Sequence, residues 1–322
     1  MNKFKAIFVL ALVLISMSAI SAPKVYGKLN ISVNNDSSDT TSNTDNSSDI
    51  DLISNASRLG FKGQVDMKNG LTGIYQIEYE VDITNDKTKG NDNNGVAFNQ
   101  RNSFVGLKGG FGTLKIGTHD TPLKLAQLKA DLFNDLKGDI KNVHNGENRI
   151  GSFFGYDSPT FGGGVSIHVG VGKGKDDMPN SGEFGDNVSV SLKYDIDVIK
   201  FAIATEQDSI KGNDNTRLGM MIPAGPVTLG LIYTTTEESN GTYENDATTF
   251  SIAGKVADGK GKVKFQYGTS DYKGKTGLSQ TQIGYDHKLF KGFKILAYHT
   301  IRTEDAADKD VAHTGVGFEY KF

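Results

Sequence analysis

Four carboxylates, Asp120, Asp131, Asp135 and Asp139, fall within one stretch of the 322-residue chain, residues 118–145. Lys124, Lys129, Lys137 and Lys141 share that stretch, so its formal charge balances. Lys28, Arg58 and Arg101 stand elsewhere in the chain among alternating polar and apolar residues, and Arg149 is a further basic candidate. Groups of this kind attract, orient and repel charged or dipolar solutes. They are costly in a dry core and inexpensive beside water. Covalent chemistry would need a nucleophile, a base and an orienting group. The chain has no cysteine, and His119, His144, His168, His287, His299 and His313 show no convincing catalytic pairing with Ser or Asp along the sequence. An enzyme is therefore not expected, and neither a cofactor nor a metal site is indicated.

The elements that must carry these charges read as strands. In Val25–Val33, Val25, Leu29, Ile31 and Val33 share one parity, and Lys28, Asn30 and Ser32 the other. That period of two marks a half-apolar strand. Leu59, Phe61 and Val65 oppose Arg58, Lys62, Gln64 and Asp66; a tight turn at Lys68-Asn69-Gly70 leads into Tyr75, Ile77, Tyr79 and Val81 against Gln76, Glu78, Glu80 and Asp82. Further strands are expected near 101–108 and 113–117. Eleven more follow at about 147–157, 162–169, 186–194, 198–206, 214–222, 226–235, 246–256, 261–270, 278–286, 293–302 and 312–322. The polar run 34–55 reads as an exposed loop, and other long polar connections lie near 83–98, 171–185, 207–213, 236–245, 271–277 and 303–311.

The count is sixteen, with short and long connections alternating. An all-β, up-and-down antiparallel barrel spanning a membrane has this form. In hydrocarbon every backbone amide needs a partner, and only closure leaves no open edge. Pore-side charges such as Glu78 and Lys193 require water, which favours a channel over a packed interior.

Residues 1–21 are read as a secretory signal, with Lys3 and Lys5 preceding an apolar run and small residues at 18–21. Residues 22–322 are then a single barrel domain. Setting the leader aside takes the formal net charge from −3 to −5, and no basic footprint for nucleic acid is present. No later apolar run reaches 18 residues, so a helical membrane protein is excluded. The 39 glycines and 6 prolines suit a closed barrel with a wet interior, though a secreted sandwich has similar composition. The closing strand discriminates further: Val316, Phe318, Tyr320 and Phe322 point one way, Glu319 and Lys321 the other.

Taken in order, Tyr26-Gly27-Lys28, Ser57–Gly63, Asn102–Gly112, Thr121-Pro122-Leu123 and Phe318–Phe322 make the chain resemble the general diffusion porins of Gram-negative bacteria, 16-stranded trimeric outer-membrane barrels. The resemblance implies that 118–145 folds inward as a constriction loop carrying Asp120, Asp131, Asp135 and Asp139. It further implies that Lys28, Arg58 and Arg101, with Arg149, line the facing wall. Thr118 departs from the pattern, standing where relatives often carry a basic residue. A homotrimer is implied, with the loop at 83–98, including Asp86 and Asp92, bracing a neighbour. Outer-membrane lipid and lipopolysaccharide would surround it, and Phe322 would be read by the barrel assembly machinery.

The expected activity is passive diffusion of small hydrophilic solutes and ions. Competing readings are a substrate-selective porin for a sugar, anion or other small nutrient, an outer-membrane hydrolase, and a secreted adhesin or structural sandwich. Strand aromatics on the lipid-facing parity count against sugar gliding.

Overall fold

The computed structural model describes residues 22–40, 43–84, 98–174, 182–208, 212–238, 244–256, 258–272, 277–304 and 309–322. The leader expected at 1–21, and Asp86 and Asp92 of the expected bracing loop, lie outside the described residues. In chain order the strands are β1 Lys24–Thr40, β2 Asn43–Ser54, β3 Arg58–Asp66, β4 Thr72–Val81, β5 Phe98–Gln100, β6 Ser103–Gly109, β7 Gly112–Asp120, β8 Arg149–Asp157, β9 Val165–Lys173, β10 Phe184–Ile196, β11 Ile199–Gln207, β12 Asn213–Ala224, β13 Val227–Glu238, β14 Glu244–Lys255, β15 Gly261–Tyr272, β16 Leu278–Phe290, β17 Phe293–Glu304 and β18 Lys309–Lys321.

Every pairing is antiparallel, and β18 returns to β1 in a register running from Lys28↔Lys321 to Thr40↔Lys309. The sheet is therefore a closed barrel with no free edge. Two of its crossings are broken strands. β1 pairs with β2 and then β3, and β4 pairs with β5 and then β6. Counting each broken strand once turns the 18 segments into a wall of 16 strands.

Side-chain sorting is inside out relative to a water-soluble protein. Lys28, Asn30, Ser32 and Asn34 of β1 are 0–7% exposed, whereas Leu29 and Val33 between them are 39% and 51% exposed. The same holds on β15, where Lys264 and Gln266 are buried and Val263, Phe265 and Tyr267 are exposed. An apolar outer belt with a polar lumen is stable only where hydrocarbon replaces water outside.

The run expected as a loop at 34–55 is instead mostly paired strand, since β1 continues to Thr40 and β2 begins at Asn43. Apolar alternation reports a face against lipid. Where a hairpin rises clear of the bilayer, both faces are wet and the alternation fades although the ladder persists. The short turns and the carboxyl terminus gather at one end. There the backbone of Phe322 exchanges hydrogen bonds with Gly27, at 3.1 and 3.2 Å. A Cβ on Gly27 would lie 2.4 Å from the Phe322 ring, so this glycine makes room for the terminal aromatic.

Candidate functional site

The excursion between β7 and β8 occupies residues 121–148, and Asp120 closes β7 rather than opening the loop. The sequence pattern fades before that point because the ladder shifts register between Gly117 and His119. Thr121 caps a single helical turn, α1 Pro122–Leu125, its Oγ1 accepting from the Lys124 N–H at 3.2 Å. The rest of the leucine-spaced stretch is turns and one 3-10 turn at Ile140–Asn142.

The loop lies inside the barrel because one of its faces is apolar and the wall receives it. Leu123 and Ala126 pack on Ala202 and Ala204, Ala130 and Ile140 on Ile232, and Phe133 and Leu136 on Leu296 and Tyr298. Burying a side chain such as Leu123 or Phe133 stabilises the seat by about 1.5–3 kcal/mol each. The wall is glycine where the loop comes closest. A Cβ on Gly219 would meet the Ala126 carbonyl at 1.9 Å, and one on Gly230 would meet Ala130 at 2.8 Å. Gln266, Gln280 and Gln282 all donate to the Gly138 carbonyl, at 3.4, 3.3 and 3.1 Å.

A buried polar anchor holds the returning limb. Arg217 donates to Glu147 at 2.5 Å, to the Asn145 carbonyl at 2.6 Å and to Thr234 at 3.0 Å. His144 lies between Thr234 and Thr249 at 2.9 and 2.8 Å. Arg217 and Glu147 carry no apolar period and pair across 70 residues, so sequence reading did not single them out.

The four carboxylates have different surroundings. Asp131 accepts from the backbone N–H of Phe133 at 3.0 Å; burial, then Asp139, pushes its carboxyl well above the usual range. Asp139 accepts from the N–H groups of Asp135 and Lys141, both at 2.9 Å, and thus shapes the loop. Asp120 pairs with Arg149 at 2.9 Å and Lys124 at 3.4 Å, and exchanges hydrogen bonds with Asn102. Asp135 alone among the loop aspartates reaches the early-strand cations, meeting Lys28 at 2.5 Å and also Arg58. Burial would raise its carboxyl, but Lys28 and then Arg58 hold it below the ordinary value.

Arg58, Arg101 and Arg149 each adjoin an irregularity in the ladder. Arg58 opens β3 directly after the break at Asn55–Ser57, where Ala56 has φ 48°. Arg101 occupies the break between β5 and β6, and Arg149 precedes Ser152, which has φ 52°. Such breaks re-aim side chains out of the regular alternation. The wall is not purely basic: Glu78 lies 2.9 Å from Arg101 and 4.0 Å from Arg58, and Glu80 lies 2.7 Å from Arg101. Tyr26 donates to Glu78 at 3.0 Å.

Two cavities flank the loop. One, of about 670 Å³, opens toward the long-loop end and includes Arg101, Asp120 and Arg149. The other, of about 500 Å³, opens toward the short-turn end and includes Lys28, Asp131 and Glu319. Arg58, Asn134 and Asp135 line both.

Folding does create one Ser–His–Asp line that the sequence did not display: Ser166 Oγ lies 3.0 Å from His168 Nε2, and His168 Nδ1 lies 2.7 Å from Asp157. Ser166 sits within the regular ladder opposite Lys193, without the strained turn that presents a hydrolase serine. Asp157 is shared with Lys115 at 2.7 Å. This line braces the wall.

The sequence profile of the Gram-negative porins matches residues 6–307. Major outer membrane protein P.IB of Neisseria gonorrhoeae is 33% identical over 143 residues, which are 43% of this chain and only 37% of that protein. P.IB of Neisseria meningitidis serogroup A, serotype 4A, is 25% identical over 296 residues, 84% of each chain. Among solved structures, the anion-selective porin of Comamonas acidovorans superposes with a TM-score of 0.71 at 19% identity, covering 94% of this chain and 99% of that one. The chain belongs to the Gram-negative porin family, and its place is the outer membrane.

Proposed function

We propose that this Gram-negative porin opens a water-filled passage for small hydrophilic solutes and ions moving down their gradients. We further propose that Arg58, Asn134 and Asp135 mark its narrowest point. The observation that carries this reading is that, among the described residues, these three alone line both cavities, so a solute leaving one for the other passes them. Selection is by exclusion. The seated loop limits diameter, while Lys28, Arg58 and Arg101 facing Asp135 and Glu78 order water and favour dipolar solutes over apolar ones. No bond is made or broken.

On this reading residues 22–322 form one domain after removal of 1–21, and the barrel works as a homotrimer among outer-membrane lipid and lipopolysaccharide. Phe322, exposed on the outer face of the closing strand, is the residue the barrel assembly machinery reads. These parts rest on the family resemblance. A sugar-selective variant of the function is disfavoured because Phe250, Phe265, Tyr267 and Tyr285 all face outward.

Single-channel recording of pure protein in a planar bilayer tests the proposal. Stepwise conductance with a defined reversal potential in a salt gradient is expected. Folded protein that inserts without producing steps would overturn it.

A further inference from the structure

At the short-turn end, strands β14 to β18 carry a concentration of lysine that neither the constriction nor lipid contact explains. Lys255, Lys260, Lys262, Lys288, Lys294 and Lys321 line one cavity of about 340 Å³, with Asp286 and Glu319 as its only carboxylates among the described residues. Parity turns the strand lysines toward the lumen. Lys262 shares the face of buried Lys264 and Gln266, and Lys288 that of Asp286, while Val263 and Tyr285 point outward.

Register makes the crowding costly. Lys255 is directly opposite Lys262, Lys288 is opposite Lys294, and Lys321 is opposite Lys28. Like charges directly opposed across strands are destabilising. The two carboxylates are already engaged: Asp286 by Lys264 and Lys294, both at 2.9 Å, and Glu319 by Lys294 at 3.4 Å and Lys321 at 3.0 Å. Lys255, Lys260, Lys262 and Lys288 make no salt bridge within 4.0 Å among the described residues, and the carboxylates whose charge bears on them are Asp286 for Lys262 and Asp258 for Lys260.

We infer that this cavity is a binding site for a small polyvalent oxyanion of the phosphate type, entered from the side of the short turns. That side faces the periplasm in outer-membrane barrels. An ion with two or more charges would relieve the Lys255–Lys262 and Lys288–Lys294 pairs at once, which chloride cannot do. Lysine ammonium groups are flexible point charges without the planar fork of arginine, so selection here is by charge rather than by ligand shape. The site lies apart from the partition at Arg58 and Asp135.

The inference rests on the proposed pore, and its test separates the two. In potassium chloride, pyrophosphate added to one side of a bilayer holding oriented channels should reduce the current reversibly, and from the short-turn side only. The K255Q/K262Q/K288Q variant should raise the half-blocking concentration by roughly tenfold, the sum of a few weak exposed ion pairs. Heat-modifiable gel migration provides a second readout. Pyrophosphate should raise the unfolding temperature of the native barrel and not that of the variant. Open channels indifferent to pyrophosphate, equal block from both sides, or unaltered block in the variant would each overturn the anion site while leaving the pore standing. Absence of channels altogether would remove the pore itself, and unchanged thermal protection would then decide the site alone.

Discussion

Lys28 Nζ stands 2.5 Å from Asp135 Oδ2, joining the first wall strand to the inner loop across 107 residues of sequence. Arg58 reaches the same carboxylate oxygen. One loop aspartate thus ties two wall cations together at the proposed narrowest point, and the clearest predictions start there.

Asp135→Asn leaves two enclosed cations without their shared anion. Ion preference is expected to move toward anions, with a loss of about 1–3 kcal/mol in loop anchoring. Reversal potential in a salt gradient reports the first effect, and noisier single-channel current reports the second.

Neutralising Arg58 or Arg101 acts in the opposite sense. R58Q or R101Q should shift the reversal potential toward cation preference, because Glu78 then faces the passage with fewer partners. An unchanged potential would place both side chains outside the ion path.

The pH dependence of the Asp135 contact follows from its lowered carboxyl. Its folded value lies below its unfolded value, so the contact is complete above the ordinary aspartate value of about 3.9 and is lost only as pH falls through the depressed one. The difference in reversal potential between native protein and D135N should therefore persist unaltered from pH 7 to about pH 4.5 and collapse only in stronger acid.

Gly219→Val tests the loop seat. A side chain there runs into the Ala126 carbonyl, an overpacking cost of about 1–3 kcal/mol. The barrel should still form, judged by heat-modifiable migration, but with altered conductance as α1 lifts from the wall. Conductance identical to native would show that this contact does not set the aperture.

Gly27→Val tests ring closure, since any branched side chain there meets the Phe322 ring. The yield of folded barrel on refolding into detergent, where no assembly machinery acts, should fall, and pairing it with Phe322→Ala should recover part of the loss. Equal yields for the single and double variants would discard the steric explanation.

The wall strands were readable from residues because lipid outside and water inside impose a strict two-residue period. Phe318, Tyr320 and Phe322 against Glu319 and Lys321 show it most plainly. The pattern failed where that pressure stops or the ladder breaks: in the paired hairpin beyond Asn34, and at Gly117–Asp120, where a register shift hid the end of β7. At the site, Lys28 and Arg58 stand on the polar parity of their strands, whereas Arg101 shares the parity of exposed Val105 and was named from the family motif alone; the break between β5 and β6 is what brings it to Glu78 and Glu80. The division of labour among the loop aspartates was not legible. Asp131 and Asp139 serve the loop's own backbone, while Asp135 reaches outward because the chain takes a left-handed turn there, with φ 68°. Arg217 and Glu147 were invisible for a related reason: nothing local records a partner 70 residues away.

Strand length varies around the ring: β1 runs for 17 residues, whereas the neighbours β7, β8 and β9 have 9 each, as does β11. A tilted crossing of the hydrocarbon takes roughly 9–11 residues. The short sector has no slack, so excising a residue pair there would drag polar ends into the bilayer or force the membrane to thin. On the β1 side the same excision merely lowers a rim that already stands in water. Natural and engineered variation in strand length should therefore accumulate on one flank of the molecule and be purged from the other.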